Sequence, residues 1–405
     1  MSLKYIERKA IHILIIVITS ITFSYGQSKL STVPDGVSIF QLDNGIEVML
    51  IEKPSLPMVG INTLVKVGSA YENFTTSGMS HMLEHLLFNG TNTMTQKELY
   101  DSTDIIGGYN NAHTGRYFTN FMMVTPFENI IEGMKLQSAM LFDSVIPEEK
   151  FEKEKGIVLE EIAKSLAKSS EVMERNINSI IYSGHALSLP TLGTYSTIQN
   201  MKRDDVYDFY KNYYVPNNMI ITVIGNFRTN EMLDNINSIY GKYSPGIIKQ
   251  NRNSLLSFGL SDELDDINDK VFHRFYNGEK THLQLFYDID NKNRFEFFNI
   301  LKLSLDKHKE KIKRALNEVS NNQIEGLEFT VRESPVKNYL QVSLALTDDK
   351  NLGEIKNELM NSLSSVKYEL APETIENESI KARTRFLKNT EKPHMFGIYN
   401  ASIIA

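Results

Sequence analysis

Residues 81–91 read His81-Met82-Leu83-Glu84-His85-Leu86-Leu87-Phe88-Asn89-Gly90-Thr91. The apolar residues Met82, Leu83, Leu86, Leu87 and Phe88 predict a helix with one face in a core. On a helix, residues four apart share a face. His81 and His85 therefore present two imidazoles to one metal ion. Glu84, three residues after His81, lies beside the same face. A carboxylate there can take a proton from a water held at the metal. The spacing is the inverted form of a common zinc-binding helix motif. Two imidazoles, one carboxylate and an open position suit catalytic zinc, so a third protein ligand is required.

Working outward, residues 37–42 and 46–51 flank Asp43-Asn44-Gly45, a hairpin signal. Residues 58–67 read as a third strand. Thr75, Thr76 and Ser77 offer N-caps for the histidine helix. Residues 95–106 predict a helix stopped by Gly107-Gly108. Residues 110–114 and 117–124 predict paired strands, and 127–143 a helix. A long charged helix is expected from about Pro147 to Lys168, with proline allowed at its first turn. Residues 204–213 predict a helix, Pro216 a break, and 219–225 a buried strand.

After Gly225 the pattern restarts. A helix is expected at 230–240 and a polar linker at 241–270. Strands follow at 271–276, 282–288, 327–331 and 339–346, and helices at 294–319, 352–366 and 372–387. The expected fold class is α+β, with two similar mixed α/β domains. The division runs as 27–229 for the metal-binding domain, 230–270 for a helix and linker, and 271–405 for a second domain. That second domain is less typical, and its last helix is followed by no returning strand, which leaves open whether it is complete.

The chain has 405 residues, 41% hydrophobic and 23% charged, which excludes a disordered or polytopic membrane protein. Its net charge of -7 excludes a global basic field, so no nucleic-acid partner is expected. The absence of cysteine excludes disulfides, thiolate metal sites and cysteine nucleophiles. Residues 1–26 carry Lys4, Arg8 and Lys9, an apolar run, and small residues Ser24 and Gly26 ahead of a cut. This pattern predicts a secretory signal peptide, and a secreted or periplasmic protein with no stable membrane span once it is removed. The run is shorter than the about 20 apolar residues that a span requires. The alternative reading is a retained N-terminal anchor.

Residues 81–91 resemble the pitrilysin/insulinase family of zinc metallopeptidases, which includes the mitochondrial processing peptidases. The resemblance implies a zinc cofactor and a glutamate ligand on a long helix downstream, with a second glutamate seven residues before it. Glu161, 76 residues after His85, and Glu154 fit these places. By resemblance Glu161 is the third ligand and Glu154 the carboxylate that holds a ligand histidine. Glu160 competes with Glu161, because sequence leaves the helix register open. Gly107-Gly108-Tyr109-Asn110-Asn111-Ala112-His113-Thr114 also resembles the family. It implies an edge strand to which an extended peptide adds as a further strand, with Asn111 and Ala112 binding the substrate. His113 shares the face of Asn111 without helical pairing and is not expected to be a ligand. Residues 192–194, 214–218 and 223–226 resemble the close of the family's first domain, so the specific resemblance covers about 37–227.

Fully active family members use an arginine and a tyrosine that follow a glycine-rich turn in a second domain. The matching stretch here, about 303–342, lacks that glycine run. Arg332 and Tyr339 are seven apart but fall outside the pattern; they read as an exposed strand arginine and a core-edge tyrosine. The resemblance thus implies half of a peptidase clamshell. The implied activity is zinc-dependent endopeptidase action on extended peptides, with Glu84 as catalytic base. It also implies a complementary family chain or a homodimer for full activity. The alternative is a catalytically inactive metal-binding homologue acting as a structural subunit.

Overall fold

Asn44 and Gly45 close a hairpin between β1 (Val37–Gln41) and β2 (Glu47–Glu52). The Asn44 amide also donates to the carbonyls of Tyr240 (2.9 Å) and Tyr243 (3.0 Å), which ties the turn to a helix end almost two hundred residues away. The computed structural model describes residues 36–248, 280–289, 295–332, 334, 338–366, 372–393 and 396. The expected signal peptide, most of the expected linker and the strand expected at 271–276 lie outside these residues.

Strands β3 (Met58–Val65), β4 (Tyr109–Thr114), β5 (Thr119–Pro126) and β6 (Met219–Gly225) complete a six-stranded sheet. Its order is β1-β2-β6-β3-β5-β4. β2 and β6 pair in parallel; the other neighbours are antiparallel. Among the described residues β4 therefore lies at an edge, with one side of its backbone ladder unpaired by any other strand.

Alternation decides what each face meets. Val48, Leu50, Val59, Ile61, Met123, Ile221 and Val223 share one face and are buried. Three helices cover them: α2 (Gln96–Ile105) through Leu99, α3 (Ile130–Phe142) through Met134 and Met140, and α8 (Thr229–Tyr240) through Met232, Ile236 and Tyr240. The sequence reading sets the 230–240 helix at the entry to the second domain; its apolar stripe instead packs into the first core. On the opposite face Phe396 packs with Ile51 and Ile224.

Further described helices of this unit are α1 (Met79–Leu86), α4 (Glu148–Leu166), α5 (Ser169–Ile181), α6 (Tyr195–Asn200) and α7 (Arg203–Tyr213). The sequence reading leaves α5 and α6 unassigned. Extended backbone at Lys168 (ψ 118°) separates α5 from α4. The expected cap of α1 at Thr75–Ser77 is not found. Asn73 Oδ1 instead draws Thr75 and Thr76 into a turn of their own, and α1 starts after Gly78.

The chain separates into two compact units, the second holding the described residues from 280 to 380. Its described strands β7 (Thr281–Ile289), β8 (Ile324–Arg332) and β9 (Asn338–Leu346) form an antiparallel sheet in the order β7-β9-β8. Helices α9 (Phe295–Val319) and α10 (Leu352–Ser364) contribute to the core, through Leu305, Ile312 and Leu316, and Ile355 and Leu359. These meet Leu327, Phe329, Val342 and Leu344 from the sheet. Both units are thus mixed α/β layers. Helix α11 (Pro372–Thr390) follows.

Candidate metal centre

Helix α1 carries His81 and His85 on one face, and their rings meet edge to face with centroids 4.8 Å apart. Helix α4 brings Glu161 to them. Its Oε2 lies 3.6 Å from His81 Nε2 and 3.6 Å from His85 Nε2. Donor atoms of the three residues all fall within 4.8 Å of one another, the one such triad among the described residues. A tetrahedral ion with ligands at about 2.0–2.2 Å separates its donors by about 3.3–3.6 Å. The two carboxylate-to-imidazole spacings and the donor chemistry, two imidazoles and a carboxylate, therefore fit zinc.

Register on α4 separates the two competing glutamates. Glu161 faces the histidines, whereas Glu160 is exposed and lies 4.0 Å from Lys164. Two turns before Glu161, Glu154 is buried, and its Oε2 sits 3.1 Å from His85 Nδ1. The Asn89 amide donates to the other Glu154 oxygen (3.3 Å) and to the His85 carbonyl (2.9 Å). Burial alone pushes the Glu154 carboxyl up, but the bonds and charge of His85 outweigh it and hold it below its usual range. An ionised Glu154 can only accept, so His85 Nδ1 donates, and in the neutral ring this leaves the Nε2 lone pair on the side of Glu161. Nothing local in the sequence singles out Asn89, whose partner Glu154 lies 65 residues away.

The two histidines differ in environment. Burial, reinforced by the charge of His85, holds His81 down at about 3, so it is the neutral imidazole that a metal needs. Burial also opposes charge on His85, but the Glu154 hydrogen bond and the surrounding carboxylates outweigh it and raise its pKa. Glu84 is pushed above the ordinary carboxylate range, by burial first. Bonds from Thr114 and the charge of His85 offset this in part. A carboxylate so poised is a better proton acceptor near neutral pH than an exposed one.

The edge strand adjoins this helix. Thr114 Oγ1 donates to the Ser80 carbonyl at 3.5 Å. Asn111 and Ala112 lie earlier on β4. The Ala112 amide donates to Asn111 Oδ1 (2.9 Å), and the Asn111 amide donates to the Tyr109 hydroxyl (2.9 Å). His113 packs edge-on against Phe118 at 5.4 Å and takes no part in the triad. In the second unit, Arg332 and Tyr339 are cross-strand partners on β8 and β9. Tyr339 is buried, and Arg332 is half-buried rather than exposed, with its Nε donating to Gln341.

Comparison with known proteins bears on this arrangement. Residues 47–195 match the family described as insulinase (peptidase family M16), and residues 200–379 the one described as the peptidase M16 inactive domain. An uncharacterized zinc protease of Rickettsia felis is 30% identical over 212 residues, 52% of each chain. The chain spans about half the length of the curated relatives it matches. Among solved structures, a protease from Helicobacter pylori shares the fold with a TM-score of 0.70 at 17% identity, over 91% of this chain and 89% of that one. The periplasmic protease PqqL of Escherichia coli gives 0.67 at 17% identity, over 92% of this chain and 43% of that one. The two M16 matches, the fold and the zinc-protease relatives agree, and the chain belongs to the pitrilysin/insulinase family, peptidase family M16.

Proposed function

We propose that the chain is a zinc-dependent endopeptidase acting on extended peptides, with His81, His85 and Glu161 as metal ligands and Glu84 as general base. One observation carries the reading: the three ligand side chains converge from α1 and α4, with Glu84 on the same helix and the sheet edge beside it. Zinc held there would polarise a scissile carbonyl and lower the pKa of a bound water to about 7. Glu154 orients His85. Glu84 takes the proton of the attacking water and returns it to the leaving amine. The backbone of β4 pairs with the peptide, and Asn111 and Ala112 hold it near the scissile bond. Main-chain pairing gives affinity with little demand on sequence.

A complementary family chain or a second copy completes the activity. This rests on the missing glycine turn at about 303–342 and on the match to less than half of PqqL. Residues 1–26 serve as an export signal, which places the mature protein in the periplasm or outside the cell. The same missing turn favours one second reading, a metal-binding subunit without its own turnover. The test is bound zinc by elemental analysis, with cleavage of a quenched peptide library by wild type and Glu84→Gln. One zinc per chain and cleavage lost in the variant support the peptidase. Zinc without cleavage, even when a complementary chain is supplied, supports the subunit. No zinc sinks both.

A further inference from the structure

The start of α1 presents amides that its own cap leaves unmet. Gly78 stands at the N-cap with φ 97° and offers no side chain. First-turn amides of a helix need acceptors from elsewhere. Glu72 supplies them: its Oε2 accepts from the Gly78 amide at 2.7 Å and its Oε1 from the Ser80 amide at 2.8 Å. The carboxylate is buried, and Ser80 immediately precedes His81.

The other end of the same turn is tied to the edge strand. The amides of Ser69 and Ala70 donate to the carbonyls of Gly115 (3.2 Å) and Arg116 (2.8 Å), which connect β4 to β5. Gly68 lies so close to this connection that a Cβ there would sit 2.4 Å from the Gly115 carbonyl oxygen. Residues 68–72 are thus fastened to the β4–β5 hairpin on one side and to α1 on the other. Helix and hairpin also meet directly through Thr114 and Ser80, at a long 3.5 Å.

We propose that Glu72 is a positioning residue: it holds α1 in register with the hairpin that carries β4, and so sets His81 and His85 against Glu161. The inference rests on the metal-centre reading above. A carboxylate suits the task because each oxygen takes one amide, while its charge faces the positive end of the helix. An apolar residue would fill the space without holding the helix. Burying a carboxylate is costly, and here burial pushes Glu72 up to about 7 even though the two amide bonds pull it down. A small displacement of the ligands is enough to matter for metal binding and for chemistry.

The test measures zinc affinity at pH 8 by chelator competition on the full chain, for wild type, Glu72→Gln and Glu72→Asp. Gln keeps the size but loses one acceptor; Asp keeps the charge but is one methylene short. The cobalt-substituted absorption band and the melting of the metal-free protein are recorded alongside. We expect Glu72→Gln to bind zinc about 10–100-fold more weakly, as for other groups that orient ligands, with a shifted cobalt band and Glu72→Asp between. Lower melting with unchanged zinc affinity and cobalt band overturns the inference and leaves a plain structural cap. Wild type and variant binding zinc equally overturns it while the metal centre stands. Absence of zinc from wild type overturns both. Should neither variant fold, hydrogen exchange on wild type decides: the Gly78 and Ser80 amides must be as protected as the interior of α1, and fast exchange there overturns the inference.

Discussion

At the scale of single residues, the candidate centre is an exercise in matching protonation to task. Glu84 stands on the motif helix with a raised pKa, and Glu154 stands behind His85 with a lowered one. Substituting Glu84 by Gln should leave zinc content unchanged and cut turnover by about 100- to 10,000-fold, the usual weight of one general base. Substituting Glu154 by Gln should instead weaken zinc binding by about 10–100-fold, measured by chelator competition, because the His85 ring loses its charged acceptor and the amide has only one oxygen to share between His85 and Asn89. Glu72 offers a pH signature. Its folded pKa, about 7, lies above the unfolded value, so the folded state binds the proton more tightly. The stability this confers is fully present below the ordinary carboxylate pKa and is lost as pH rises through 7. Over that window it amounts to about 3 kcal/mol in the metal-free protein. Chemical denaturation of wild type and Glu72→Gln across pH 4–8 should show the loss as a difference between the two proteins, since Glu84, His81 and His85 titrate in both.

At the scale of elements, two features set the site. One is the close seating of α1 on the loop before α6. Gly78 (φ 97°) and Gly193 (φ 81°) face each other so closely that a Cβ on Gly78 would stand 2.9 Å from the Gly193 Cα. Gly78→Ala should therefore destabilise the protein by about 1–3 kcal/mol, read as a fall in denaturation midpoint, since neither the backbone angle nor the space accommodates it. The other is the edge position of β4. An exposed edge is a template for a further strand, and here Asn111 already engages the Ala112 amide. Asn111→Ala should raise KM for an extended peptide several-fold while zinc content stays at the wild-type level. An unchanged KM would remove Asn111 from the peptide site.

At the scale of the whole molecule, each unit owns a core. Ile61 and Leu344 are both fully buried, one in each. Truncating either to Ala should cost about 2–5 kcal/mol. Ile61→Ala should also lower zinc retention during denaturation, because the first sheet supports the helix of His81 and His85. Loss of zinc at the same denaturant concentration in Ile61→Ala and wild type would argue that the site does not depend on that core.

Local chemistry made much of this legible in the sequence. The i, i+4 histidines with Glu84 between them follow from helical geometry alone, as does the hairpin from Asn44-Gly45 between apolar runs. The apolar stripe of 230–240 was legible as a helix, but nothing local states which core receives it. Tertiary structure alone decided that Glu161 rather than Glu160 meets the histidines, because two adjacent carboxylates differ only in register against another helix. It also decided that β4 is an edge among the described strands, that Asn89 reaches Glu154, and that Glu72 rather than Thr75–Ser77 caps the histidine helix. Each of these depends on a partner brought close by chain folding rather than by neighbouring residues. Hydrogen-bond acceptors are interchangeable in sequence and are distinguished only by distance.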